Sequence, residues 1–405
     1  MRKRPRRGRS QIGWGSAVAA TTSFNFRIRL GASYSADFVA SRIAAAKGFA
    51  SDGASLAPPS HREAAKDVSW RAVLLIVLVA ASRPTGNVAL AQPMPRLPGP
   101  LQEILEKSGI LAHDGSAQWL GKWQSIYQSP VRNSELAALM ERARREDEIV
   151  PLTHTLFAPE VAATGLWHSA FYLENYGTAL VFAAAFDDDR VPVVLVPGIG
   201  GSPRDFGDLV PMLQRAGYQP LYFVYPSGMP LGNAARQLGG RLQEFLERHD
   251  VDRFVVIGHS MGGVVAKGLL DQVDVTDDLP SWRLFIAIAA PFGGVDMAQY
   301  ANRLPQHPPA WDDLAPNSGF MHQIRSTRFP PDLHFYLFFG ARSSNRLMAA
   351  LGNNDGVLSI DSVCGSPVTG WARDVFGFYE DHTSILSSPL VLGRVENVLS
   401  AEVAR

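Results

Sequence analysis

The sequence predicts an α/β fold: a mostly parallel sheet covered on both faces by helices, with a lid-like insertion late in the chain. Three observations carry that expectation. From residue 191 short apolar runs of strand length alternate with amphipathic stretches of helix length. Strands separated by helices close most simply into a parallel sheet with helices on both sides. Residues 296–331 then break the alternation with His307-Pro308-Pro309, Trp311 and Phe329-Pro330-Pro331, a stretch too long for an ordinary connection. Because it follows the strand after a Gly-rich turn, it is expected to form a lid or a substrate wall.

The elements follow in order. Pro93–Pro100 reads as a proline-rich linker, and Leu101–Lys107 and Ser134–Arg145 as helices. Residues 92–165 are therefore expected to be a linker with a helical segment, and 166–405 the main domain. Near-alternate apolar residues around Glu174-Asn175-Tyr176-Gly177 predict a hairpin over 166–187. Strands are expected at Val191–Val196, Pro220–Tyr225, Arg253–Ile257, Leu284–Ala289, Leu333–Phe339 and Val375–Phe378. Helices are expected at Phe206–Leu213, Ala234–Arg248, Val264–Leu270 and Pro389–Leu399.

The front of the chain differs in composition. Residues 1–67 open on the basic block Met1–Arg7 and continue rich in Ala, Ser and Gly, which suits a non-globular leader or an over-extended start. In residues 68–91, Trp70-Arg71 precedes the apolar run Ala72–Ala81, and Ala89-Leu90-Ala91 supplies a small-x-small site. That pattern predicts a signal peptide cut after Ala91, hence export to the periplasm or beyond. Residues 1–91 hold 14 Lys and Arg against 4 Asp and Glu, which leaves 24 against 34 for residues 92–405. The acidic body argues against nucleic acid as a partner. Cys364 is the only cysteine, so no intrachain disulfide forms. No His and carboxylate spacing matches a metal motif such as H-E-x-x-H, so neither a metal nor another cofactor is expected.

The chemistry centres on Gly258-His259-Ser260-Met261-Gly262, set between the apolar run Phe254–Ile257 and the small-residue helix start Gly263–Ala266. A serine hydroxyl is a poor nucleophile unless the backbone exposes it and a base takes its proton. A strand that turns sharply at a serine and enters a helix at once meets the first need, and Gly258 and Gly262 leave room for the turn. Of ten histidines, His382 lies in a loop after a late strand, where it can reach the carboxyl edge of the sheet. Asp355, in the turn Asn353-Asn354-Asp355-Gly356, is the expected acid, with Asp361, Glu380 and Asp381 as rivals. Backbone N–H groups of Met261 and of Ile199, the latter in the loop Pro197-Gly198-Ile199-Gly200-Gly201, would form an oxyanion hole. Gly198 and Gly200 let that loop approach a substrate closely.

Taken together, Val194–Ser202, the Ser260 turn, Ala289–Gly294, Asn354-Asp355-Gly356 and Asp381-His382 resemble the α/β-hydrolase superfamily, and within it a lipase- and esterase-like branch that includes relatives of the GPI inositol-deacylases. The order serine, acid, histidine agrees with that superfamily. The resemblance implies the α/β-hydrolase fold and cleavage of small-molecule or lipid carboxylic esters through an acyl-enzyme. It departs where Pro197-Gly198 stands in place of the His-Gly common in the family. An acyltransferase using the same three residues, or a non-catalytic binding or foldase module, is the alternative. Peripheral contact with a membrane and the oligomeric state stay open.

Overall fold

The computed structural model describes residues 129–272, 279, 281–303, 307–343 and 353–403. The linker, the Leu101–Lys107 helix, the leader and the signal-like segment lie outside the described residues.

Seven strands form one sheet in the order β1-β3-β2-β4-β5-β6-β7: β1 Ala179–Phe182, β2 Val191–Val196, β3 Tyr218–Val224, β4 Phe254–His259, β5 Trp282–Ile288, β6 His334–Gly340 and β7 Asp374–Phe378. All neighbours pair in parallel except β1, which runs antiparallel to β3 at the edge. Strand residues alternate between two cores. Phe254 and Val256 of β4 face one side, with Phe285 and Ala287 of β5, while Val255 and Ile257 face the other with Leu284 and Ile286. Each such side chain contributes about 1.5–3 kcal/mol by burial, and a one-residue slip in register, which turns every side chain to the opposite face, would disrupt the packing of both cores at once.

Helices cover both faces for the reason their spacing suggests. In α5 (Leu231–Arg248), Leu231, Ala234, Ala235, Leu238, Leu242 and Phe245 fall on one stripe and are fully buried. Next to it lies α6 (Met261–Gly268), which runs directly out of β4. The opposite face is covered by α1 (Ser134–Ala143), α4 (Leu209–Arg215) and α10 (Pro389–Val403). The start of α1 is capped by the Asn133 carboxamide oxygen, which accepts from the Glu135 and Leu136 N–H groups.

The expected hairpin over 166–187 is not there. Pro159–Trp167 and Ser169–Asn175 form helices α2 and α3, and only Ala179–Phe182 is a strand, hydrogen-bonded to β3. The apolar residues that look alternate pack instead against helix neighbours, as in the edge-on contact of Tyr172 with Tyr176. Nor does packing change at residue 166. Leu136, Leu139 and Met140 share a core with β2 and β3, and the Arg204 guanidinium donates to the carbonyls of Leu152, Thr153 and His154.

The 296–331 insertion folds into a 3-10 turn at Asp296–Arg303 followed by α7 (Pro309–Leu314) and α8 (Gly319–Ser326). Trp311, Leu314, Met321 and Ile324 are buried in the same core as α5 and α6. Its polar ties are equally firm, since the Leu231 N–H donates to Asp313 Oδ2 at 2.7 Å and Arg325 donates to the Pro316 and Gly293 carbonyls. The Lys267 ammonium is fully buried and donates to the Thr327 carbonyl at 2.6 Å. It sits 4.5 Å from the centre of the Phe329 ring and 5.1 Å from that of Trp371.

Burial lowers the Lys267 pKa to about 8, against a weaker upward pull from Asp271. A lysine whose folded pKa lies below its unfolded value binds fewer protons folded than unfolded between those two values. Its contribution to stability therefore rises with pH from about 8 to the unfolded value near 10.5. Compared with Lys267→Met, the wild type is expected to gain about 2 kcal/mol of stability between pH 7 and pH 10. Thermal or urea unfolding of both proteins at the two pH values checks this, and a difference that does not change with pH contradicts it.

Candidate active site

The site is built at the carboxyl edge of the sheet, where the segments after β2, β3, β4, β6 and β7 converge. Ser260 sits between the last residue of β4 and the first of α6, at φ +54° and ψ −129°. A side-chain-bearing residue in such a conformation costs on the order of 1–3 kcal/mol, so its surroundings must hold it there. The Ser260 N–H donates to the Ile288 carbonyl and its own carbonyl accepts from Gly263. The close approach of helix to strand requires glycine on both sides of the turn. A Cβ on Gly258 would lie 2.6 Å from the Gly263 backbone, and one on Gly262 would collide with the Val196 and Pro197 carbonyls.

The other two expected side chains meet at this turn. His382 Nε2 lies 3.0 Å from Ser260 Oγ, and His382 Nδ1 lies 2.7 Å from Asp355 Oδ2. The carboxylate accepts from Nδ1–H, which leaves Nε2 unprotonated and facing the serine hydroxyl. Burial opposes ionisation of Asp355, but the His382 charge, its Nδ1–H bond and the N–H groups of Leu358 and Val357 outweigh it. The carboxyl is therefore held below the ordinary aspartate value. All three residues are buried, with Ser260 3% and His382 1% exposed, so the hydroxyl and imidazole face little water.

The two oxygens of Asp355 do different things. Oδ1 closes a turn by accepting from the Val357 and Leu358 N–H groups, while Oδ2 faces the imidazole. Its rivals are engaged with other partners. Asp361 opens the short helix α9 (Ile360–Cys364). Asp381 accepts from Arg342 Nη2 at 2.9 Å and caps Thr383 and Ser384, and Glu380 accepts from Ser384 Oγ. Burial, then the Asp361 charge, pushes the Cys364 thiol up to about 12, so its thiolate is scarce at neutral pH.

Met261, the first residue of α6, presents an N–H with no acceptor inside its own helix. Across from it, the loop after β2 carries Ile199. Gly198 packs so closely that a Cβ there would lie 3.0 Å from Ser260 Cβ and 3.4 Å from Oγ, and Gly200 adopts φ +63°. Two residues not singled out in the sequence hold this loop. Tyr225 Oη donates to the Pro197 carbonyl at 2.7 Å, and Ser227 Oγ accepts from the Gly200 N–H at 2.9 Å. Their only sequence signal is position: both follow β3, whose carboxyl end borders that of β2.

Residues 193–390 match the pattern of the alpha/beta hydrolase family. The domain is an α/β hydrolase. This hydrolase is similar in fold to lipase BlEst2 of Bacillus licheniformis in its mature form, at 19% identity and a TM-score of 0.43 over 55% of this chain and 97% of that one. It is also similar to lipase B of Aspergillus fumigatus, at 16% identity and a TM-score of 0.41 over 55% of each chain. For esterase RhEst1 of Rhodococcus sp. ECU1013 the identity is 14% and the TM-score 0.38, over 56% of this chain and 96% of that one. No curated protein matches the chain. Among the described residues no group of three or more His, Cys, Asp and Glu could hold a metal ion, and no helix is long and apolar enough to cross a membrane.

The turn glycine of the hydrolase is open to direct test. Gly262→Ala is expected to destabilise by about 2 kcal/mol or more, because its methyl group meets backbone oxygens that cannot yield without moving β2. Gly240→Ala, in α5 with nothing within 4 Å of the new methyl, should instead stabilise by about 0.5–1 kcal/mol. Thermal unfolding of the two variants measures both signs.

Proposed function

We propose that this α/β hydrolase cleaves carboxylic esters with Ser260 as nucleophile, His382 as general base and acid, and Asp355 as the residue that fixes the imidazole tautomer. The observation that carries the reading is the chain of contacts from Asp355 Oδ2 through His382 to Ser260 Oγ, at 2.7 Å and 3.0 Å. Ser260 Oγ attacks the ester carbonyl while His382 Nε2 takes its proton. The negative oxygen of the tetrahedral intermediate receives the Ile199 and Met261 N–H groups, the second at a helix N-terminus whose dipole favours negative charge. His382 then protonates the departing alcohol, leaving the acyl group on Ser260. Water, giving its proton to His382, attacks the acyl-enzyme, and the acid leaves as Ser260 regains its proton.

Four apolar residues of the insertion have a packing role. Trp311, Leu314, Met321 and Ile324 point into the core, and Trp311 packs edge-on against Trp167. Packing accounts for them, so the reading is of carboxylic esters as a class, with lipid esters among them.

With p-nitrophenyl butyrate as substrate, Ser260→Ala and His382→Ala are each expected to lower kcat by roughly 10⁴-fold or more. Asp355→Asn should cost about 10⁴-fold, since an amide donating toward Nδ1 forces the proton onto Nε2. All three should still unfold cooperatively. Ester turnover that survives Ser260→Ala overturns the assignment, and transfer of the acyl group to an added alcohol in preference to water would make the protein an acyltransferase.

A further inference from the structure

The last residue of β4, directly before the nucleophile, is a histidine that the reaction does not use. His259 closes β4 and is 4% exposed. Its Nε2 lies 2.9 Å from the main-chain carbonyl oxygen of His382. A carbonyl only accepts, so Nε2 carries the proton and donates. The two imidazole rings lie 4.9 Å apart between centres, tilted by 44°.

The other backbone group of His382 is held as well. The His382 N–H donates to the main-chain carbonyl of Asp355 at 2.9 Å. The base is therefore gripped at its backbone twice, once by the acid residue and once by the residue preceding the nucleophile. Because His259 and Ser260 are consecutive, a bond from one to the His382 backbone fixes where the His382 ring stands relative to the other. We infer that His259 is a positioning residue: its Nε2–H holds the His382 carbonyl and so sets the distance between His382 Nε2 and Ser260 Oγ. This rests on the proposed roles of Ser260 and His382.

The protonation state suits the task. Burial, with the neighbouring His382 charge adding to it, lowers the His259 pKa to about 3, so the ring is neutral at working pH and keeps a single tautomer. A neutral donor places no positive charge beside an imidazole that must itself become positive during the reaction.

The test uses the fact that a glutamine amide can place its nitrogen where a histidine places Nε2, whereas an asparagine amide reaches only to the Nδ1 position. In the full chain, with p-nitrophenyl butyrate, His259→Gln is expected to keep kcat within a few-fold of wild type. His259→Asn and His259→Leu should each lose kcat by roughly 10- to 100-fold with KM little changed, the scale of a small misplacement of reacting groups. A folding defect common to all substitutions would not separate Gln from Asn. Equal loss in Gln and Asn, or full kcat in Leu, overturns the inference.

NMR of protein labelled with ¹⁵N in its histidines gives a readout that does not need turnover. His259 should show a neutral ring protonated at Nε2 from pH 5 to pH 9, and the His382 ring signals should shift in His259→Asn but not in His259→Gln. A His259 ring protonated at Nδ1, or a His382 ring indifferent to both changes, contradicts the inference. Wild-type protein with no turnover that Ser260→Ala abolishes would count against the proposed function, and the ring tautomer would still decide the placement of His259.

Discussion

A serine held at φ +54°, where strand β4 becomes helix α6, is the constraint on which the rest of the structure turns. An L-residue stays in that region only where its neighbours leave it no alternative. Here Gly258 and Gly262 allow the helix to start against the strand it leaves, and the Ser260 N–H is taken by β5 rather than by its own helix. The parallel sheet is thus more than a scaffold. Its central strands supply the hydrogen bonds and the close packing that keep the hydroxyl out of the regular backbone.

The other parts of the site depend on that turn and on one another through main-chain contacts. The loop after β2 lies against Ser260 through Gly198 and is tied to β3 by Tyr225 and Ser227. The loop after β7 is tied to the Asp355 turn by its backbone N–H and to β4 by its carbonyl, with Arg342 bracing Asp381 from outside. Side-chain geometry near 3 Å from Asp355 through His382 to Ser260 comes from these backbone ties, because rotamers alone would leave each group free by more than that.

Much of this was legible in the chain. Every parallel strand after residue 191 lies within a few residues of where its apolar run suggests, because burial on both faces leaves a strong, short signal. The three side chains that meet at the Ser260 turn left signals of two kinds: Ser260 and His382 sit just past strand ends, and local turn chemistry marks Ser260 and Asp355. The 166–187 segment misled because Phe171, Tyr172 and Tyr176 are spaced for either period, and only tertiary contact selects the helix. The holding residues were invisible for a different reason. Tyr225 and Ser227 act on backbone atoms of the loop after β2 and Arg342 on the Asp381 and Ser384 side chains, all across breaks in sequence that leave no local pattern. The insertion shows the limit of composition, since aromatic and proline content suits a substrate wall and a packed core helix equally.

Ester cleavage at this site requires Ser260 Oγ to form a covalent bond to the acyl group. The most direct test is rapid acid quenching of the protein during turnover of a p-nitrophenyl ester, followed by peptide mass mapping. A mass increase equal to the acyl group is expected on the peptide that contains Ser260, and none in His382→Ala at the same time point. Turnover of the ester with the acyl group found on another residue, or with no acylated peptide when deacylation is made limiting, would contradict it.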